Sequence, residues 1–165
     1  MVKRAMVAEL EPMEVYDREG FEPRRSVGHL IGRVRGELLA SLDTEFAADE
    51  QLAPLEVTAA QYIIIATLAA STERRSASSL CKGISYDAGA MTRMIDRLES
   101  KGLIRRERCP NDRRLVYLEL TEEGRQAYPR MRELSRAVHN RFLQGFSRVE
   151  ARQLESLLLR MLENA

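Results

Sequence analysis

The chain has 165 residues, of which 44% are apolar, 31% charged and 5% aromatic, with no Trp. That is the size and make-up of one compact globular unit with an aliphatic core, and it excludes disordered and disulfide-scaffold classes. The net charge is only +1, so the overall balance points to no particular partner.

No apolar run approaches the length of a membrane span. The closely spaced charges of the first 25 residues leave no apolar core for a signal peptide, so a cytoplasmic protein without membrane association is expected. Cys81, Cys109, His29 and His139 are scattered, which predicts no metal site and no disulfide framework.

Residues 1–25 read as a charged arm, with a helical turn or two around Ala8 to Asp17. From Ser26 the apolar residues Val27, Leu30, Ile31, Val34, Leu38, Leu42 and Phe46 recur at helical spacing, which predicts an amphipathic helix. Thr58 to Gln61 reads as a capping box that opens a second helix. The body of that helix, Tyr62 to Ala70, is apolar nearly all round and should be buried. Ser76 to Gly83 is a short helix. Ser85 is the expected N-cap of the next one, which runs over Tyr86 to Lys101 and stops at Gly102. Two helices joined by so short a turn form a helix-turn-helix. Leu103 to Arg108 and Leu115 to Leu120 read as strands around a turn-rich loop, giving a hairpin wing with a basic tip. Thr121 caps a further helix that contains Pro129, and Ser147 to Glu150 is a capping box for the last one, with Leu154, Leu157, Leu158 and Met161 as its stripe.

Charge is unevenly placed. Between Arg74 and Arg114 there are eleven basic and five acidic residues, 11 − 5 = +6. With Met91, Met94, Ile95 and Leu98 facing inward, Arg93, Arg97, Tyr86, Ala90 and Gly89 fall on the outer face of their helix, bordered by Thr92 and Asp96. Two arginines among small residues suit a major groove, where Arg reads guanine in bidentate fashion. Ser85 lies at the helix N-terminus, where N–H groups can meet a phosphate. The alternative is a solvated face with Asp96 as the salt-bridge partner of Arg93 and Arg97.

The run from Ser85 to Gly102, then Leu103-Ile-Arg-Arg106, Asn111-Asp-Arg-Arg114 and Leu120-Thr-Glu-Glu-Gly124, closely resembles the MarR family of bacterial transcriptional regulators, over about residues 26–163. The resemblance implies a mainly α fold with a small β-hairpin wing. A winged helix-turn-helix DNA-binding lobe (58–120) would join a helical dimerisation lobe (26–57 and 121–165). It implies that Arg114, in the basic tip with Arg113, enters the minor groove, that Asp112 orients it or the wing loop, and that Thr92 and Arg93 are recognition-helix contacts. The long apolar stripes of the first and last helices separately favour a homodimer, and two-fold symmetry predicts a palindromic operator on double-stranded DNA.

By the same resemblance, the expected role is a repressor of a catabolic or efflux operon, released by a small aromatic acid or phenol. His29 and Arg33 lie one turn apart, and Arg33 is suited to hold a carboxylate while His29 or Tyr62 bonds a ring hydroxyl. Alternatively, His29 and Arg33 make inter-subunit contacts and Tyr62 belongs to the core. Two other readings stay open: a redox switch at Cys109, whose neighbouring arginines favour a reactive thiol, and a module used only for dimerisation or protein contacts. No nucleophile–base pair and no Gly-rich phosphate loop is present, so neither enzymatic activity nor a cofactor is expected.

Overall fold

The computed structural model describes residues 14–84, 86–109 and 115–165, with residues 81–84 described by their backbone. The elements run α1 (Val27–Ala48), α2 (Ala59–Ala70), β1 (Arg75–Ser76), α3 (Ala77–Ile84), α4 (Ala88–Ser100), β2 (Ile104–Arg108), β3 (Val116–Leu120), α5 (Glu122–Phe142) and α6 (Arg148–Glu163). Among the described residues no helix is long and apolar enough to cross a membrane. The chain divides into two compact units, residues up to Arg35 and Gly36–Ala165.

In the first unit the predicted helix of the arm lies mostly outside the described residues, and Glu14 to Asp17 are not helical. Instead, a 3-10 turn over Pro23–Arg25 leads into α1. Tyr16 packs edge-on against Phe21, and its hydroxyl accepts from the backbone N–H of Val27 at 2.9 Å. That bond satisfies one of the orphan donors at a helix start. Leu30, Ile31 and Val34 of α1 are exposed.

In the second unit, Leu42 and Phe46 of α1 join Ile64 and Ile65 of α2, Met91, Ile95 and Leu98 of α4, and Met131 and Val138 of α5 in one core. The predicted caps recur. Thr58 and Ser147 form capping boxes with Gln61 and Glu150, and Thr121 accepts from the Gly124 N–H. Pro129 lies inside α5 without ending it. Acids on α1 and just past its end tie the frame together: Asp43 accepts from the Ala59 N–H at 2.6 Å, Glu45 pairs with Arg141, and Asp49, the residue after α1, pairs with Arg130.

Two expectations need correcting. The N-cap of α4 is Asp87, whose carboxylate accepts from the Ala90 N–H at 2.8 Å, so α4 begins at Ala88 rather than Tyr86, and Ser85 lies outside the described residues. The hairpin is also one part of a three-stranded antiparallel sheet of order β1-β3-β2. The short β1 pairs Arg75 with Leu118 and Ser76 with Tyr117.

Candidate nucleic-acid interface

The turn that launches the wing is built by backbone hydrogen bonds. Gly102 takes φ +69°, its N–H donates to the Glu99 carbonyl at 2.9 Å, and the Leu103 N–H reaches the Leu98 carbonyl at 3.0 Å. This paired closure ends a helix sharply, and a residue without Cβ adopts the left-handed step at least cost. β2 then runs back from the end of α4 and pairs with β3, Ile104 opposite Leu120 and Arg108 opposite Val116.

On α4 the helical period divides the side chains. Met91, Ile95 and Leu98 are buried, whereas Gly89, Thr92, Arg93 and Arg97 are exposed. Among the described residues Arg93 and Arg97 enter no ion pair, and the Thr92 hydroxyl donates to the Ala88 carbonyl at 2.8 Å. Ala90 is half-buried. Tyr86, expected on the outer face, is half-buried and packs against the core. Asp112, Arg113 and Arg114, like Ser85, lie outside the described residues.

The basic segment carries less free charge than its count implies. Asp96 does not pair with Arg93 or Arg97 but with Arg106 of β2, which also bonds Glu99. The Asp96 bond first, and the Glu99 charge after it, raise the Arg106 pKa above its ordinary value. On the other face of the sheet Arg105 bonds Glu119 at 2.9 Å. Arg74 lies 3.5 Å from Glu119 and 3.7 Å from Glu107, over the Tyr117 ring. The Arg105 bond, with the Arg74 charge adding to it, holds the Glu119 carboxyl below the usual range. Lys101 donates to the carbonyls of Leu55 and Glu56. Among the described arginines of this region, those without a carboxylate partner are Arg75, whose Nε donates to the Ser71 hydroxyl at 2.6 Å, and Arg93, Arg97 and Arg108, on α4 and at the end of β2. Sequence reasoning missed Arg108 as a candidate contact. The signal was the two-residue period of β2, which puts Arg106 and Arg108 on the face of the buried Ile104.

The expected ligand residues are divided between the two units. His29 and Arg33 are exposed on α1 in the first unit. Tyr62, in the second, is half-buried between Phe46, edge-on at 5.6 Å, and Tyr128, stacked at 6.4 Å. A depression of about 660 Å³ in the second unit is lined by Leu68, Arg74, Leu120, Arg125 and Tyr128 among others, and by none of those three. Cys109 is half-buried, with its backbone N–H donating to the Leu115 carbonyl at 2.9 Å.

A family model described as the MarR family matches residues 57–116, from the start of α2 to the far strand of the wing. Wild-type MarR of E. coli, in its apo form, is 32% identical with a TM-score of 0.65, covering 83% of this chain and 97% of its own. The chain belongs to the MarR family. A mutant of the same E. coli protein, complexed with operator DNA, is 32% identical with a TM-score of 0.69 and covers 82% of this chain and 92% of its own. BpsR of Bordetella bronchiseptica, 24% identical, shares the fold at a TM-score of 0.71, covering 88% of this chain and 98% of its own. Transcription regulation and DNA binding belong to this MarR-family chain with its fold. The proteins of the family are regulators rather than enzymes.

Proposed function

We propose that this MarR-family regulator acts as a homodimeric repressor at a palindromic operator. The division of labour is 58–120 for reading DNA and 26–57 with 121–165 for pairing. The observation that carries the reading is the outer face of α4. Arg93 and Arg97 stand exposed and, among the described residues, free of carboxylates on a helix whose opposite face is buried at Met91, Ile95 and Leu98. Such a helix is rigidly backed and presents cations to a groove, with Thr92 beside them. Arg114 would enter the minor groove, with Asp112 orienting it or the wing loop, as the family resemblance implies, and Arg113 would add a further cation at the tip. Ser85, Tyr86 and Ala90 would line the helix entry. Two copies related by a two-fold axis would meet half-sites one duplex turn, roughly 34–36 Å, apart.

Release by a small aromatic acid or phenol is the second part of the proposal. Its support is the Arg33–His29 pair on one face of α1, together with BpsR, whose DNA binding is regulated by 6-hydroxynicotinic acid. Tyr62 would take part through its hydroxyl. Such a ligand acts only if it prefers a dimer whose recognition helices are wrongly spaced.

The test is selection of a duplex from a randomised pool by the purified protein, followed by a salt titration. A dimer that enriches a palindrome, with affinity falling steeply as salt rises, is expected. Enrichment of no sequence, together with binding indifferent to salt, overturns the reading. A thermal-shift screen against hydroxybenzoates and hydroxynicotinates, with duplex release as the second readout, tests the effector.

A further inference from the structure

β2 is an edge strand, so one row of its backbone groups faces away from β3. Arg105 and Glu107 lie opposite Glu119 and Tyr117 on one face, and Arg106 lies opposite Leu118 on the other. Ile104 is buried on that second face. One pleat further out, Arg106 meets α4. Its two terminal nitrogens donate to separate carboxylates, one to Glu99 and one to Asp96. Its backbone N–H, on the free edge, donates to the remaining Glu99 oxygen at 3.3 Å. Asp96 and Glu99 are three residues apart and therefore neighbours on the helix surface. Glu99 thus covers an edge donor and takes half of the guanidinium fork at once.

We propose that Arg106, Asp96 and Glu99 form a clamp that fixes the wing to the recognition helix, and that they are positioning residues for duplex recognition without contacting DNA themselves. The inference rests on the DNA-binding reading above. A hairpin alone is marginally stable and free to swing. Ile104 and its partner Leu120 bury the base of this one, β1 holds the β3 side at Leu118, and among the described residues the side-chain hydrogen bonds that tie β2 to α4 are those of this fork, opposite Leu118. Recognition by helix and wing together requires the two to be held within a fraction of an ångström of the productive geometry. A planar fork that bonds two carboxylates fixes direction as well as distance, which an ammonium does not.

The inference makes a prediction opposite to that of plain electrostatics. Removing two carboxylates beside a DNA-binding face should tighten binding to a polyanion. If the clamp matters, their removal weakens it. The experiment compares the full-length wild type with Asp96→Ala/Glu99→Ala on the duplex selected by the wild type and on a scrambled duplex. Amide hydrogen exchange in the free protein is followed by NMR, and melting temperatures show that the variant is folded. The double variant is expected to exchange the Arg106 amide faster and to bind the selected duplex about tenfold more weakly. Its preference over the scrambled duplex should fall as well. Arg106→Met should lose at least as much, and Arg106→Lys should recover part of the loss. Equal or tighter binding by the double variant, at wild-type preference, overturns the clamp. If the wild type itself selects no duplex, the DNA-binding reading fails instead. An Arg106 amide that exchanges as slowly in the free variant as in the wild type then counts against the clamp on its own.

Discussion

The α-carbon of Gly124 lies so close under the carbonyl of Leu103 that a Cβ built there would collide with its oxygen. Thr121 explains the approach. Its N–H donates to that same carbonyl at 3.1 Å, its hydroxyl donates to the Gly102 carbonyl at 2.6 Å, and the same oxygen accepts from the Gly124 N–H at 3.1 Å. The Thr-Glu-Glu-Gly run is therefore a docking device that seats the start of α5 on the turn between α4 and β2. Because the colliding atom is backbone, it cannot swing aside. Gly124→Ala is expected to destabilise the fold by about 1–3 kcal/mol, read as a lower urea midpoint. An unchanged midpoint would show that the first turn of α5 shifts freely.

Much of this architecture was legible because it is local. The capping boxes at Thr58 and Ser147, the stop at Gly102 and the alternation in β2 and β3 depend on neighbours a few residues away, and each recurs in the structure. What was not legible depends on tertiary pairing. Arg75 and Ser76 show no alternation of their own and become β1 only because β3 offers them a partner. Asp96 stands beside Arg97 and three residues from Arg93 in sequence, yet Arg106, ten residues on, wins it because β2 folds back along α4. Asp87 displaces Ser85 as the cap, since either side chain is a good acceptor and the turn geometry decides. A count of charges cannot say which arginines remain free, and that is what the candidate interface turns on.

Arg108 and Arg93 should differ in kind. Arg108 ends β2, exposed and unpaired among the described residues, where a phosphate is the natural partner. Arg93 stands on the groove-facing side of α4. Arg108→Ala is expected to weaken binding evenly across sequences and to lower the salt slope by about 1, whereas Arg93→Ala should cost about 1–3 kcal/mol and relax preference at one base pair. Salt titrations on a panel of single-base duplex variants separate the two. An even loss for Arg93 would make it a phosphate contact.

Acid sensitivity has an identifiable source in Asp49. Its carboxylate accepts from the Arg130 guanidinium at 2.8 Å and from the N–H groups of Gln51 and Leu52, each at 3.1 Å. The Arg130 bond first, then the backbone bonds, hold its pKa below the ordinary aspartate value. A depressed pKa in the folded state means that the unfolded chain takes up the proton more readily. The stabilisation is therefore complete above the unfolded value of about 3.9 and is lost as pH falls through the lower folded value. Glu119 and Glu150 are shifted in the same direction, so the contribution of Asp49 is a difference between proteins. Asp49→Asn should melt lower than wild type at neutral pH, and the gap should close as pH is lowered below about 4. A gap that stays constant with pH would remove Asp49 from the account.

The sixteen residues of α6 include none that is buried within this chain, and Leu157 stands 49% exposed beside Leu154 and Met161. An isolated helix of that length is marginal in water, and helices draw most of their stability from burying an apolar face. Leu154, Leu157 and Met161 lie three, four and seven residues apart, which is one continuous stripe. On α1, Val27, Leu30, Ile31 and Val34 form another at the same spacing, also exposed. A second copy of the chain is the occupant that the homodimer proposal assigns to both. Leu157→Glu and, separately, Ile31→Glu place a charge in the middle of each stripe without touching the core of the second unit. Each should shift sedimentation from dimer towards monomer. Each should also weaken binding to a two-half-site duplex far more than to a single half-site, since only the linked pair gains from a raised effective concentration. A variant that stays dimeric with unchanged preference for the full palindrome would show that its stripe is covered by something other than the partner subunit.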